Sequence, residues 1–363
     1  MKTGKDFSFP VFSSKTLKGA HCALKLLTKF FTLTCFLFPL ALLPSSLAFA
    51  EQEVSAGGFT IEGVPHDKQL DPDVGYFYLK EEVGAVDSVK VKLINSSDQD
   101  KTLTVELTNA NTNASGIIDY SGVLEDHSSL KTPLTSIAKV SEKEVLVPKD
   151  SSVETEISIN MPKQSLSGVV VGGIVVSEKQ DEKKKAGIAN TYNYTLGLVL
   201  TNESKVELNK NVSVQLERVG ASLVNGRKMV QADILNPNPY IFSKAVVKGK
   251  ILEKDSGDLV KEQELNQVSI APYSVFPFQF DWKRENLKPG TYLFTGSVTA
   301  NGKTWDFEKE FAITAEKAKK LNEEAAYKIY VPKWLSYSLY FLGSLTSAGT
   351  LYLVVRNRKR KAV

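Results

Sequence analysis

Residues 89–93 read Val89-Lys90-Val91-Lys92-Leu93, residues 103–107 read Leu103-Thr104-Val105-Glu106-Leu107, and residues 153–159 read Val153-Glu154-Thr155-Glu156-Ile157-Ser158-Ile159. Apart from Thr155, apolar side chains recur at every second position and alternate with charged or hydroxyl residues. In an extended chain this period puts the two classes on opposite faces, so each segment reads as a half-buried β-strand. The pattern dominates from Ala56 to Thr314 without a long helical stripe. Short strands separated by Asn, Asp, Gly and Ser clusters, with no intervening helices, predict an all-β fold of antiparallel sandwiches. About 260 residues is too many for one such core, so two immunoglobulin-like sandwiches in tandem are expected.

Turn chemistry supports this reading. Asn225-Gly226 and Asn301-Gly302 sit between alternating runs, and both pairs favour the type I′ turn of a tight hairpin. The charge run Glu178 to Lys185 separates the apolar segments Gly168 to Ser177 and Tyr192 to Thr201. Two boundaries are open here. Sequence modules would run 58–180 and 188–314, whereas a hairpin across the charge run would extend the first sandwich to about 201 and start the second core near 204. From Ala315 the period changes to a helical one, with Ala315, Ala318, Leu321, Ala325 and Ile329 on one face, so 315–331 is expected to form a helical stalk.

The ends carry address signals. Six lysines precede an uncharged run from Phe30 to Leu43, and Ala48-Phe49-Ala50 follows it, the pattern of an export leader over 1–50 cleaved between Ala50 and Glu51. At the other end 334–355 is free of charge, and at 1.5 Å per residue it is about 33 Å long as a helix, enough to span a bilayer. Lys333 and Trp334 stand where interfacial anchors belong. Arg356, Arg358, Lys359, Arg360 and Lys361 in the tail 356–363 mark the cytoplasmic side. The expected topology is single-pass, with the ectodomain outside the cell.

The formal charge of +4 conceals an asymmetry: without the leader and the tail, 34 basic face 40 acidic residues. A moderately acidic ectodomain argues against nucleic-acid binding, which requires a basic stripe. Cys22 and Cys35 both lie in the leader, so the exported part has neither disulfides nor thiolate metal ligands.

The first module resembles the peptidoglycan-binding module of the WxL-interacting proteins of Gram-positive bacteria. The resemblance rests on Tyr76-Phe77-Tyr78-Leu79, Asn95-Ser96-Ser97-Asp98, Asn111-Thr112-Asn113 through Gly116-Ile117-Ile118-Asp119-Tyr120, Met161-Pro162 and Gly168 to Ile174. The second module is similar to that family's host- or partner-binding module through Ala271-Pro272-Tyr273-Ser274, Leu287 to Tyr292 and Trp305-Asp306-Phe307. Two places depart from the pattern: Pro65-His66-Asp67-Lys68-Gln69 replaces a more asparagine-rich segment, and Tyr273 stands where Asn is expected. The resemblance implies a cell-surface scaffold or adhesin that holds peptidoglycan with its first module and WxL-domain proteins or host components with its second.

Chemistry-bearing candidates are sparse. His66 and His127 are the only histidines outside the leader and are far apart in sequence, and Asp67, Asp71 and Asp73 lack the glycine and terminal Glu of a calcium loop, so neither a metal nor a cofactor is expected. No Gly-x-Ser-x-Gly elbow is present. Asp119 with Asp126 or Glu125 is the best carboxylate pair for a wall hydrolase, one alternative to a binding protein. An extracytoplasmic assembly chaperone with a free edge strand is the other. For ligand binding the candidates are Asn111, Thr112, Asn113, Asp119 and Tyr120, which combine amide, hydroxyl and carboxylate groups with an aromatic face on one loop. Gly172-Gly173 inside an apolar strand predicts a bulge or the close approach of another backbone.

Overall fold

The structure, a computed structural model, describes residues 56–179, 192–207, 209–210, 213–327 and 332–361. The expected leader with its expected cleavage point at Ala50 and Glu51, and most of the charge run, lie outside these residues. In chain order the first half contains β1 (Phe59–Gly63), β2 (Phe77–Lys80), β3 (Val86–Asn95), β4 (Lys101–Asn109), β5 (Asn111–Thr112) and β6 (Ile118–Asp119). There follow a single helical turn α1 (Leu134–Ile137), β7 (Ala138–Val140), β8 (Glu144–Val147), β9 (Ser151–Asn160), β10 (Val170–Glu178) and β11 (Asn193–Thr201). They form one sheet in the order β1-β3-β9-β7 and a second in the order β2-β11-β10-β4-β8, with β5 and β6 paired separately.

The period-two reading holds residue by residue: Val89, Val91 and Leu93 of β3 are buried, while Lys90 is exposed and Lys92 half-exposed. With Leu103, Val105, Ile157, Ile159, Ile174 and Leu198 they fill the space between the two sheets. β10 and β11 pair directly across the charge run, with Gly173 opposite Gly197, so this sandwich continues to Thr201. One pair departs from the antiparallel expectation: β2 runs parallel to β11, Phe77 beside Leu198. The two strands are more than 100 residues apart, so no short turn dictates their relative direction.

The second sandwich comprises β12 (Gln215–Val224), β13 (Arg227–Leu235), β14 (Phe242–Glu253), β15 (Leu259–Ile270), β16 (Val275–Asp281), β17 (Gly290–Ala300) and β18 (Lys303–Ile313). Its sheets run β12-β13-β16 and β15-β14-β17-β18. Asn225, Gly226, Asn301 and Gly302 all have φ between 50° and 72°, the left-handed values that a type I′ turn demands. Phe278 and Phe280 meet edge-on at 5.0 Å, and Phe280 meets Phe294 at 6.0 Å, in the middle of the core. Trp282 is buried in the same core, and Trp305 stands edge-on to Phe242 at 5.6 Å.

Of the expected stalk 315–331, residues 328–331, with Ile329, lie outside the described residues. Helix α2 (Ala315–Glu324) is only ten residues long and lies against the second sandwich. Thr314 caps it by accepting from Lys317 N, and its apolar stripe, Ala318 and Leu321, is buried in that core. Asn322 and the Leu287 backbone exchange two hydrogen bonds of 2.9 Å, and Ala326 N donates to Gly226 O. The stripe read from sequence is thus a docking face for the sandwich. Helix α3 (Lys333–Lys361) contains the whole uncharged stretch. Among the described residues no helix is long and apolar enough to cross a membrane.

A seam joins the sandwiches. Ala110, Val169, Val171 and Val199 of the first meet Ala271 of the second, with Tyr78, Ile118, Tyr120, Val206 and Ile241 around them. Val169 N donates to Pro239 O at 2.9 Å, and Ser269 N donates to Gly116 O at 2.8 Å. Glu203 Oε1 accepts from both Gly168 N and the Tyr240 hydroxyl. Gly168 has φ 72°, and a Cβ there would lie 2.1 Å from Pro239 O. No other residue fits.

Residues 68–70 cover the free side of β2. Lys68 Nζ reaches the buried Glu81 at 2.7 Å and also bonds Asp87, whose other oxygen lies 3.5 Å from His66 Nε2. Burial raises the pKa of Glu81 against the pull of Lys68. Burial also pushes Asp87 up, but the hydrogen bonds from Lys68 and Ser88 N and the charges of Lys68 and His66 outweigh it and hold the group at about 2.

Two outcomes follow. Gly168→Ala should destabilise the chain by about 2–4 kcal/mol, because strain and a backbone clash add. Gly302→Ala, at a hairpin with open space around it, should cost only about 1 kcal/mol; denaturant titration of both variants checks this. A carboxylate with a depressed pKa stabilises above its unfolded value and loses that contribution as pH falls. The stability gap between wild type and Asp87→Asn should therefore shrink as pH drops from about 4 to about 2, which thermal melts across that range would read.

Candidate functional site

The loop from Asn109 to Thr135 carries the polar and aromatic candidates and lies beside strands β4 and β10 of the five-stranded sheet. The structure brings Asn111, Thr112, Asn113, Asp119 and Tyr120 together on the β5–β6 hairpin but gives them different work. Thr112 is 2% exposed: its hydroxyl lies 2.5 Å from Ser274 Oγ and accepts from Ala271 N at 3.0 Å. It is part of the seam. Asn111 is 7% exposed and donates to Asp126 Oδ1 at 3.0 Å, while Asn109 donates to Asp126 Oδ2 at 2.6 Å. Two amides therefore hold this carboxylate across the loop.

Asn113 and Asp119 shape their own turns, in the manner of short polar side chains that mimic a backbone turn. Asn113 Oδ1 accepts from Ser115 N and Ile117 N, and Asp119 Oδ1 accepts from Ser121 N at 2.8 Å and Ser121 Oγ at 2.5 Å. Each keeps a half-exposed side chain with polar capacity toward solvent. Asp126 and Glu125 are exposed on the same loop as Asp119.

Tyr120 lies across the sheet. Its carbonyl accepts from Thr108 Oγ1 at 2.6 Å, and its Cβ stands 2.8 Å from where Gly173 would carry one. This is the close approach that Gly172-Gly173 predicts, and β10 keeps an unbroken register with both neighbours instead of bulging. Gly197, directly opposite Gly173, gives the same clearance to Tyr76, whose Cβ would be 3.3 Å from its own. Burial pushes the Tyr120 hydroxyl up in pKa, and neighbouring Tyr76 adds to the shift. The rings of Tyr76 and Tyr78 are 6.5 Å apart. Tyr120 and Tyr76 thus stand over two paired glycines, with Tyr78 beside Tyr76, and Tyr76 is 41% exposed.

Sequence reasoning did not place Tyr76 and Tyr78 in a site. Their spacing of two put them on one face of a strand. What was hidden is the register that sets Gly173 against Gly197, and the parallel strand that delivers Tyr76 there.

In the second sandwich the outer face of β15-β14-β17-β18 forms a trough of about 780 Å³. Lys248, Lys250, Glu262, Glu264, Asp306 and Glu308 line it, with Thr295 and Ser297 between. Lys248 pairs with Glu264 at 3.2 Å. At one rim β18 pairs with β17 in continuous register from Lys303 to Ile313. Among the described residues no group of three or more His, Cys, Asp or Glu side chains is arranged to hold a metal. His66 and His127 are instead paired with Asp87 and Glu217. Asp71 accepts from Asp73 N in a local turn. Tyr273, which replaces an expected Asn, has φ 55°, a conformation that Asn adopts more readily.

A search of curated proteins finds no match. A comparison with solved structures returns, among others, the Pseudomonas aeruginosa chaperone CupB2 (12% identity, 61% of this chain and 91% of that one, TM-score 0.26). Others are the E. coli chaperone DraB (15%, 62% and 90%, 0.26) and a chain of the CsuC-CsuE pre-assembly complex of Acinetobacter baumannii (13%, 69% and 97%, 0.28). At such scores the likeness carries no argument. Family models are more informative: the WxL Interacting Protein peptidoglycan binding domain matches residues 59–178, and the host binding domain of the same family matches 183–323. The division between the two matches falls between the paired strands β10 and β11. With both models matched in order over well over half of its length, the chain belongs to the WxL Interacting Protein family.

Proposed function

We propose that the chain is a non-enzymatic cell-surface scaffold or adhesin. Its first immunoglobulin-like sandwich holds peptidoglycan and its second recruits WxL-domain proteins or host components. The observation that carries the first half is the tyrosine group over Gly173 and Gly197. Aromatic side chains with amide and carboxylate groups at their margin suit the alternating apolar and hydroxyl surfaces of a glycan. Tyr76 and Tyr120 are the proposed platform. Asn113 and Asp119 supply polar contacts, and Asn111 and Thr112 hold the hairpin in place. For the second half, the charged trough and the regular edge of β18 offer a surface on which an extended segment of a partner protein can add as a strand.

Helix α3 is the proposed anchor, with its basic tail in the cytoplasm. Inside it the hydroxyls of Ser338, Ser344, Ser347 and Thr350 each bond the carbonyl four residues earlier, so they present no unsatisfied donor to lipid. Membrane attachment and wall binding together raise the effective concentration of each contact, so neither has to be tight.

Sedimentation of the detergent-solubilised full-length chain with purified peptidoglycan sacculi should require the platform. Tyr76→Ala should weaken retention about tenfold, a loss of about 1.4 kcal/mol, and Tyr120→Phe should have a smaller effect, both with unchanged melting temperature. Retention indifferent to Tyr76 would move the site elsewhere. Alkaline carbonate washing of cell membranes tests the anchor. The full-length chain should stay in the pellet and a chain ending at residue 332 should be released; equal release of both would remove α3 from the membrane.

A further inference from the structure

A second cavity, of about 370 Å³, lies between the two sandwiches. Leu130, Leu166 and Val171 of the first and Pro239 and Pro272 of the second form its apolar walls. Its polar lining is Lys131, Thr132, Gln164, Ser165, Ser167 and Tyr273. Around it nearly every polar side chain is committed: Thr112 to Ser274, Thr201 to Gly168, Asn202 to Leu166 and Glu81, Glu203 to Tyr240. The six polar lining side chains differ. Lys131, Gln164, Ser165 and Ser167 are exposed to solvent at its mouth, among the described residues none of the six makes a hydrogen bond or ion pair to another protein group, and Lys131 stands over the ring of Tyr273, 5.8 Å from its centroid.

The lining contains one cation and no acid, although the ectodomain as a whole is acidic. An unpaired ammonium in a mostly polar cleft favours an anion, and hydroxyl and amide groups beside it suit the peptide link next to that anion. Small walls of proline, leucine and valine suit short apolar side chains. Tyr273 adds an independent sign. Its φ of 55° is one that L residues with bulky side chains rarely adopt. The strained backbone turns the ring into the cavity wall, where Asn238 O and Ser129 Oγ hold its main chain. Ligand sites lie preferentially at such domain interfaces.

We propose that this cavity binds a short peptide ending in a free carboxylate, with Lys131 on the carboxylate, the Tyr273 ring against the last side chain, and Gln164, Ser167 and Thr132 on the final peptide link. That the peptide comes from a cell wall rests on the peptidoglycan-binding reading above; that it ends in a carboxylate does not.

Calorimetric titration of the full-length chain in detergent tests the site. The probes are diacetyl-lysyl-D-alanyl-D-alanine, its C-terminal amide, and the L-alanyl-L-alanine counterpart. The acid form should bind at least tenfold more tightly than the amide, and Lys131→Met should remove most of that difference. Tyr273→Gly should weaken binding without lowering the melting temperature, because it relieves the left-handed strain. Preference for the D,D form identifies a wall peptide as the source, and preference for the L,L form a protein terminus. Equal affinity for acid and amide, or indifference to Lys131→Met, would overturn the assignment. So would the absence of binding by any probe to a chain that still sediments with sacculi through Tyr76, a result that leaves the wall-binding reading intact.

Discussion

Gly168 stands where the two sandwiches touch, with Pro239 O 2.1 Å from the position a side chain would occupy. That approach lets Val169 N reach Pro239 O and lets Glu203 accept from Gly168 N and Tyr240 together. The backbone groups at the seam are polar and would be costly to bury unpaired. Here they are paired across it, and the apolar patch from Val169 to Val199 is closed over by Ala271 and its neighbours. The modules are therefore joined by a packed and hydrogen-bonded interface as well as by their chain connection.

This junction explains the division of labour on the β5–β6 hairpin. Thr112 and Gly116 face the second sandwich and hold the seam, whereas Asn113, Asp119 and Tyr120 stand at its margin. Aromatic surface, hairpin and cavity lie on one continuous stretch of structure. The boundary between the family's two domain models, drawn between paired strands, shows the same thing: β11 begins the second match in sequence and completes the first sandwich in space.

Much was legible because its cause is local. Alternation in β3 and β9 follows from the two-residue repeat of an extended chain, and the Asn-Gly hairpins follow from the left-handed conformations those residues tolerate. The helical stripe of α2 was also legible, but its partner was not. Ala318 and Leu321 would suit another helix, a membrane surface or a sandwich equally well, and only the fold supplies the sandwich. Likewise the Lys68, Glu81 and Asp87 cluster joins residues 13 and 19 positions apart, with no motif to announce it.

The sequence by itself determined most strands, their Asn-Gly hairpins and the order of the two modules, because each depends on spacing and residue type along the chain, and it carried the resemblance that the family models bear out. The tertiary structure decided which strands pair in parallel, which asparagine and threonine side chains hold the seam, and where tyrosines collect over paired glycines. Those outcomes depend on register and on distances between residues far apart in sequence. A two-residue repeat is silent about both, since it says which face a side chain takes but not what lies opposite it.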